Sequence, residues 1–425
     1  MTLTVAVVAT VDTKAAETEF IRSELTARGC RAVVVDVGLH RDRMVTGPDD
    51  VDAEEVAAIT GSSVDELRSH ARRDHAMATM AAGAADFLKR WRGEGALDAV
   101  LGIGGNQGTA IAAAAMRELP FGVPKYIVST VASGNIRGYV GDSDIVFAFS
   151  VGDLLGGPNA VTGPILRQAT AAVVAMAASA SDTVSSDTTA FRPHGPRVAI
   201  TAFGNTQTAV DHAIAEFTRA GVQVVPFHAS GASGSAMERF IAEGMFDGVL
   251  DMTTHELLAE LYPDDIYTPV RAGRLTAAGT AGLPQVVVPG GLEYHCFAAA
   301  ETIPAALRDR ATHHHNPNNT NVRSSSEELI AVARTMAERL NAATGPVAVM
   351  IPLRGWSQVG SPGGILHDPE TNSAFIRELE RRAGDGLSIR ELPMAINDDG
   401  FGQQAARRLL ALMGIGAEPK ETGMR

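Results

Sequence analysis

Apolar and polar positions along this chain fall into two alternating patterns. Nearly continuous apolar runs at 4–9, 31–37, 98–103, 124–129 and 144–149 have the length of strands buried on both faces. Between them, segments near 14–28, 64–91, 107–117 and 161–179 carry apolar residues at helical spacing. Strands alternating with helices predict an α/β fold whose sheet is mostly parallel and covered on both sides. The apolar run "QATAAVVAMAASASD" (Gln168–Asp182) is too short and too rich in alanine to cross a bilayer.

The pattern breaks at "SDTVSSDTTAFRPHGPR" (Ser181–Arg197), which is rich in Ser, Thr, Asp and Pro. This break predicts one α/β domain over 1–184 and a second over 197–425. The second half then repeats the first. "VAVVATVDTKAAETEF" from Val5 is matched by "VAITAFGNTQTAVDHA" from Val198. "GALDAVLGIGGNQGTAIA" is matched by "GMFDGVLDMTTHELLAEL", and "VPKYIVSTVASGN" by "LPQVVVPGGLEYHC". Three matched units in one order predict two α/β domains of similar topology.

Ligands of open parallel sheets sit beyond the carboxyl ends of the strands. The loops that follow matched strands are therefore expected to cluster. In the first domain they are Thr10–Lys14, Gly38, Gly104–Thr109 and Thr130–Asn135, all small, hydroxylated or glycine-rich. In the second they are Gly204–Thr206, Ser230–Ser235, Thr253–Glu256 and Gly290–Cys296, which bring acid, imidazole and thiol. The first set suits phosphate; the second suits proton or metal chemistry.

Composition narrows the partners. A net charge of −13 over 425 residues argues against nucleic acid. Two cysteines, Cys30 and Cys296, make no disulfide framework and fit a reducing compartment. "MTLTVAVVATVDTK" reads as a first strand rather than a signal peptide, so a cytoplasmic protein without membrane attachment is expected.

Each chemical candidate has a plain structural alternative. The turn Gly104, Gly105, Asn106, Gln107, Gly108, Thr109 is an anion cradle at a helix N-terminus or a tight turn only; it lacks the Walker lysine. Thr130, Ser133 and Gly134 stand at the next strand end to meet the same ligand. Asp12 and Lys14 bind ribose and phosphate, or Asp12 caps the first helix. "HASGASGS" (His228–Ser235) is a further anion site or a simple cap. His255, His295, His313 and His315, with Cys296, Glu256 and Glu293, include ligand types that zinc takes, without any standard zinc spacing. In an extended chain His313 and His315 share a face. Arg354 is a fork for a substrate anion or a surface ion-pair partner.

The motifs "TVDTK", "VDVG", "GIGGNQGT", "STVASG", "YVGDSDI", "ATGPVAVMIPLRG" and "HDPE" together resemble an uncharacterised protein family. That family includes the ATP-binding domain of the tomato mosaic virus resistance protein, and the likeness runs to about residue 400. It implies two Rossmann-like subdomains, a homodimer, and ATP or ADP in the N-terminal subdomain. It places Asp12, Thr13, Lys14, Gly104, Gly105, Gly108, Thr109, Thr130, Ser133 and Gly134 around the nucleotide. Asn106-Gln107 replaces a Ser-Gly pair of the family pattern, and "PGGLEYHC" replaces "PGALDMVN". Glu256, Glu293 and His315-Asn316-Pro317 follow the pattern, whereas His255, His295 and Cys296 depart from it.

The expectation is thus a hydrolase or carbon–carbon lyase acting on a small oxygen-rich acid or ketone. His255, Glu256, Glu293 and His295 are expected to converge, with Cys296 and the His313/His315 pair beside them, around zinc or manganese. Arg354 belongs to the same catalytic set. The alternative is a non-catalytic ATP-binding protein that works through protein partners.

Overall fold

The computed structural model describes residues 2–39, 47–70, 72–185, 195–268 and 270–416. It divides into two units, Met1–Thr188 and Thr189–Arg425. Residues 186–194 of the Ser/Pro-rich segment lie outside the described residues.

In the first unit the apolar runs form β1 (Thr4–Ala9), β2 (Arg31–Asp36), β3 (Ala99–Gly104), β4 (Lys125–Ser129) and β5 (Val146–Phe149). They make one parallel sheet in the order β2-β1-β3-β4-β5. Every residue of β1 and β3 is buried, as central strands covered on both faces require. Alternate side chains serve opposite layers. Ala6, Val8 and Val100 pack on Val56, Met80, Leu88, Ile111 and Met116, whereas Val5, Val7 and Leu101 pack on Ile21, Leu25, Leu166 and Val173. The helical stretch expected near 64–91 is two helices, Val64–Ser69 and Arg73–Gly93, because His70 turns extended after the first.

The second unit contains β6 (Arg197–Ala202), β7 (Gln223–His228), β8 (Gly248–Thr253), β9 (Gln285–Gly290), β10 (Tyr294–Phe297), β11 (Thr312–Asn316), β12 (Asn319–Arg323), β13 (Val347–Pro352) and β14 (Leu387–Leu392). Six of these form a parallel sheet ordered β7-β6-β8-β9-β13-β14. Read from β7 to β13, the order repeats that of the first unit, so the repeat seen in the sequence is a repeat of topology. In both sheets the order reverses at the first strand, leaving a crevice between the carboxyl ends of β1 and β3, and of β6 and β8. The antiparallel sheet β10-β12-β11 is an addition that the apolar pattern did not announce. No helix among the described residues is long and apolar enough to cross a membrane.

Asp36, at the end of β2, is buried beside the first crevice. Its Oδ1 accepts hydrogen bonds from the N–H groups of Val11 (3.0 Å) and Gly38 (2.8 Å). Burial nevertheless pushes its carboxyl up to about 6, with Asp12 and Asp52 adding repulsion. A carboxyl raised above its unfolded value stabilises the fold fully below that value, near 3.8, and loses this as pH climbs through about 6. Asp36→Asn keeps the accepting oxygen and removes the buried charge. The variant should match the parent near pH 4 and exceed it by on the order of 2–3 kcal/mol at pH 7–8, read from urea unfolding across that range.

Candidate functional site

At the first crevice, Gly104 and the following turn bring strand and helix together. A Cβ on Gly104 would lie 2.6 Å from the Gly108 carbonyl carbon and the Thr109 nitrogen, so only glycine fits. The helix Asn106–Arg117 then opens toward a cavity of about 640 Å³. Thr10, Asp12, Thr13, Lys14, Gly105, Asn106, Gln107 and Gly108 line it. Lys14 is only 8% exposed and has no acidic partner among the described residues. Arg68 and Arg73 add positive groups to the lining and His70 an imidazole; the sequence reading did not include them.

Five of the residues expected around the nucleotide are not among those that line this cavity. Gly104 and Thr109 are fully enclosed, and the Thr109 hydroxyl is spent on the Gly104 carbonyl (3.3 Å) and Ser129 Oγ (2.7 Å). Both residues build the turn rather than face the cavity. Thr130, Ser133 and Gly134 also stand outside its lining: the chain after β4 folds into its own turn, with Gly134 N–H donating to the Val131 carbonyl.

In the second unit, the possible anion site at Ser230–Ser235 is occupied by the protein's own carboxylate. Glu256 Oε1 accepts the N–H groups of Gly231 (2.5 Å) and Gly234 (3.2 Å) at the start of the helix Ala232–Ala242. Its other oxygen takes Arg274 Nε at 2.6 Å, and Arg274 also reaches Asp251 and Glu238. Glu256 is therefore a strut. Burial raises its carboxyl despite Arg274, which leaves no free face for a general base.

Strand parity separates the remaining candidates. Successive side chains of β10 point to opposite faces. Tyr294 and Cys296 face the second crevice, whereas His295 turns away to stand 3.1 Å from Glu328 and edge-on to Tyr262. Burial works against a charge on Glu328, but bonds from His295 and Arg310 prevail and hold it down at about 2. Glu293 lies in a third environment, accepting from Ser357 Oγ, Trp356 N–H (3.2 Å) and Asn372 Nδ2 (3.3 Å). Arg354 is exposed and 4.0 Å from Asp398, a surface pair. The expected convergence of His255, Glu256, Glu293 and His295 is thus replaced by four separate networks.

What does converge is His255, Asp265 and Cys296. All three are buried, and one ligand-type atom from each lies within 4.8 Å of the others. His255 follows β8. Its Nδ1–H donates to the Gly291 carbonyl at 2.8 Å, and its Nε2 is 3.0 Å from Asp265 Oδ2. Asp265 is fixed in turn by the N–H groups of Cys296 (2.7 Å) and Tyr267 (2.9 Å). Asn321, directly across from Cys296 on β12, donates Nδ2–H to Sγ at 3.2 Å. Burial opposes charge on His255, yet Asp265 and Cys296 outweigh it and keep the imidazole protonated well above its usual range. Burial pushes Asp265 up, but His255 and the two N–H groups bring it below the ordinary carboxylate value. The Cys296 thiol is pushed up by burial against the pull of His255.

Cys296 also lines a cavity of about 100 Å³, with Phe203, Asn205, His228, Tyr267, Tyr294, His315, Asn319 and Asn321 around it. Asn205 donates to the Tyr294 hydroxyl at 3.2 Å. His313 and His315 share a face of β11, with ring centroids 6.1 Å apart. His315 reaches the cavity wall, whereas His313 does not. His295, His313 and His315 therefore do not belong to the buried cluster, and Asp265 takes a place that the sequence reading had given to histidine. The "PDD" of Tyr262–Ile266 offered no signal to single out Asp265, because two adjacent acids in a turn look alike.

Comparison with known proteins fits both halves of the chain. Residues 3–182 match the N-terminal domain, and residues 195–413 the C-terminal domain, of an uncharacterised protein family, UPF0261. A UPF0261 protein of Clostridium tetani is 35% identical over 410 residues, covering 96% of this chain and 98% of that protein. The tomato mosaic virus resistance protein Tm-1 of Solanum lycopersicum is 34% identical over 334 residues, 77% of this chain but 43% of its own length. Among solved structures, the glycosyltransferase SnogD from Streptomyces nogalater covers 97% of this chain and 100% of its own. At 12% identity and a TM-score of 0.21 it carries no argument. The chain belongs to the UPF0261 family.

Proposed function

For this member of the UPF0261 family, we propose an enzyme that cleaves a small oxygen-rich acid or ketone, by hydrolysis or carbon–carbon scission, over Cys296 in the C-terminal unit. The observation that carries this reading is a set of three buried ionisable groups beneath a cavity. Burying the charged forms of His255 and Asp265 is costly, and groups buried in this way beside a cavity cluster at functional sites. A wall of amide and phenol groups, Asn319, Asn321, Tyr267 and Tyr294, suits a carbonyl and neighbouring hydroxyls. Negative charge that develops on the carbonyl oxygen is stabilised by donors already in place, the usual source of most rate enhancement.

A panel of small lactones, hydroxy-ketones and keto acids, followed by proton NMR, tests it. Turnover of at least one compound is expected, falling by about 10²-fold or more in Cys296→Ala and Asn321→Leu. A parent inactive on every compound, or a Cys296→Ala variant as active as the parent, defeats the reading.

The N-terminal cavity favours a second role, held with the first or without it. An adenine nucleotide, ATP or ADP, rests its phosphates on the helix at Asn106–Arg117, with Lys14, Arg68 and Arg73 as counter-charges and Asn106 and Gln107 at the rim. What supports this is Lys14, a nearly enclosed lysine with no acidic partner among the described residues. By calorimetry ADP should bind at micromolar to millimolar affinity, and Lys14→Met should weaken it about tenfold or more through loss of a charge-assisted bond. Absence of heat at millimolar nucleotide removes this role and with it the non-catalytic alternative.

A second copy of the chain is the proposed macromolecular partner. The edge strand β5 and the chain after it expose Val146, Phe149, Val151, Leu155 and Val161, an apolar rim of the kind that association covers. Light scattering at micromolar concentration should give twice the chain mass, and Val151→Lys with Leu155→Lys should return it to one.

A further inference from the structure

We propose that His255, Asp265 and Cys296 form a zinc site, which deepens the enzymatic reading by naming the group that polarises the carbonyl. The three supply nitrogen, oxygen and sulfur, with one ligand-type atom from each within 4.8 Å of the others. Bonds of about 2.0–2.3 Å to a central tetrahedral zinc put ligand atoms about 3.3–3.7 Å apart, so small adjustments suffice to seat the ion.

Outer contacts orient each group as metal ligands are oriented. A ligating histidine characteristically donates its second ring N–H to a carbonyl or carboxylate. Here Nδ1–H donates to Gly291, which turns Nε2 toward Asp265. Asp265 is held by two backbone N–H groups, one of them that of Cys296 itself. The Asn321 amide supplies the hydrogen bond that ligating sulfur commonly receives.

The donor set also selects the metal. Thiolate with imidazole and one carboxylate favours zinc over manganese, magnesium or calcium. Three protein ligands leave a fourth position for water or substrate, the composition of catalytic rather than structural zinc. Cys296 places that position at the cavity. His295 is paired with Glu328 and His313 stands off the cavity wall, whereas His228 and His315 line the cavity beside Cys296.

The full chain, produced in zinc-supplemented medium, should carry about one zinc per chain by elemental analysis. After exchange with cobalt it should show a thiolate-to-cobalt charge-transfer band in the near ultraviolet. Cys296→Ser should lose that band, and Asp265→Asn should lower zinc content about tenfold or more, whereas His313→Ala changes neither. Should the variants fail to fold, the cobalt spectrum of the parent decides alone: tetrahedral visible bands with the charge-transfer band support the site. A parent that takes up neither metal overturns it, as does a cobalt band that survives Cys296→Ser. Zinc bound without turnover of any compound leaves the site standing and sinks only the enzymatic reading. Turnover that persists in chelated, metal-free protein does the reverse.

Discussion

The second unit is organised around one buried carboxylate. Glu256 joins the loop after β7, through the N–H groups of Gly231 and Gly234, to the loop after β8 on which it stands, and Arg274 closes the junction. The approach is so close that a Cβ on Gly234 would fall 1.7 Å from Glu256 Oε2. With Glu256 drawn into the helix N-terminus, its neighbour His255 stands between Gly291, in the loop after β9, and Asp265, in the segment between β8 and β9. One Arg274 serves three acids, Glu256, Asp251 and Glu238. Such a network is costly to bury and costlier to break, which fixes the loops that carry the crevice.

The first unit solves the same topological problem differently. Its crevice lies at the corresponding strand ends, where the Asp12 carboxylate stands with Lys14 and the turn at Gly105–Gly108 around the cavity. Lysine and two arginines line the cavity there. Duplicated topology thus carries opposite electrostatics: one helix N-terminus is neutralised from within, and the other faces a basic cavity.

Most of the parallel architecture was legible in the sequence, because apolar runs and their repeated order follow directly from burial on both faces of a sheet. The site was legible only as far as the strand ends. Which loops gather at the second crevice could be read, and with them His255 and Cys296. Which side chains turn inward could not, since adjacent residues of a strand diverge and the strand β10 was itself hidden in a turn-like "GGLEYHC". Glu256 and Glu293 are acids in the expected loops, yet backbone N–H groups and an arginine or a serine claim them first. Arg68, Arg73 and Asp265 belong to segments with no repeat counterpart, so nothing in the pattern pointed to them.

The alternation along β10 also bears on how such a chain diversifies. Tyr294 and Cys296 face the cavity only because the turn at Gly291–Glu293 has the length it has. A single residue inserted there, with the β12 strand still paired, would shift β10 by one position and present the His295 imidazole where the thiol now stands, whereas a deletion would present Phe297. Neighbouring lineages can therefore exchange the reactive group at this crevice without any substitution inside the strand, by indel alone. Alignments that align β10 by residue identity would then misjudge which members share a chemistry.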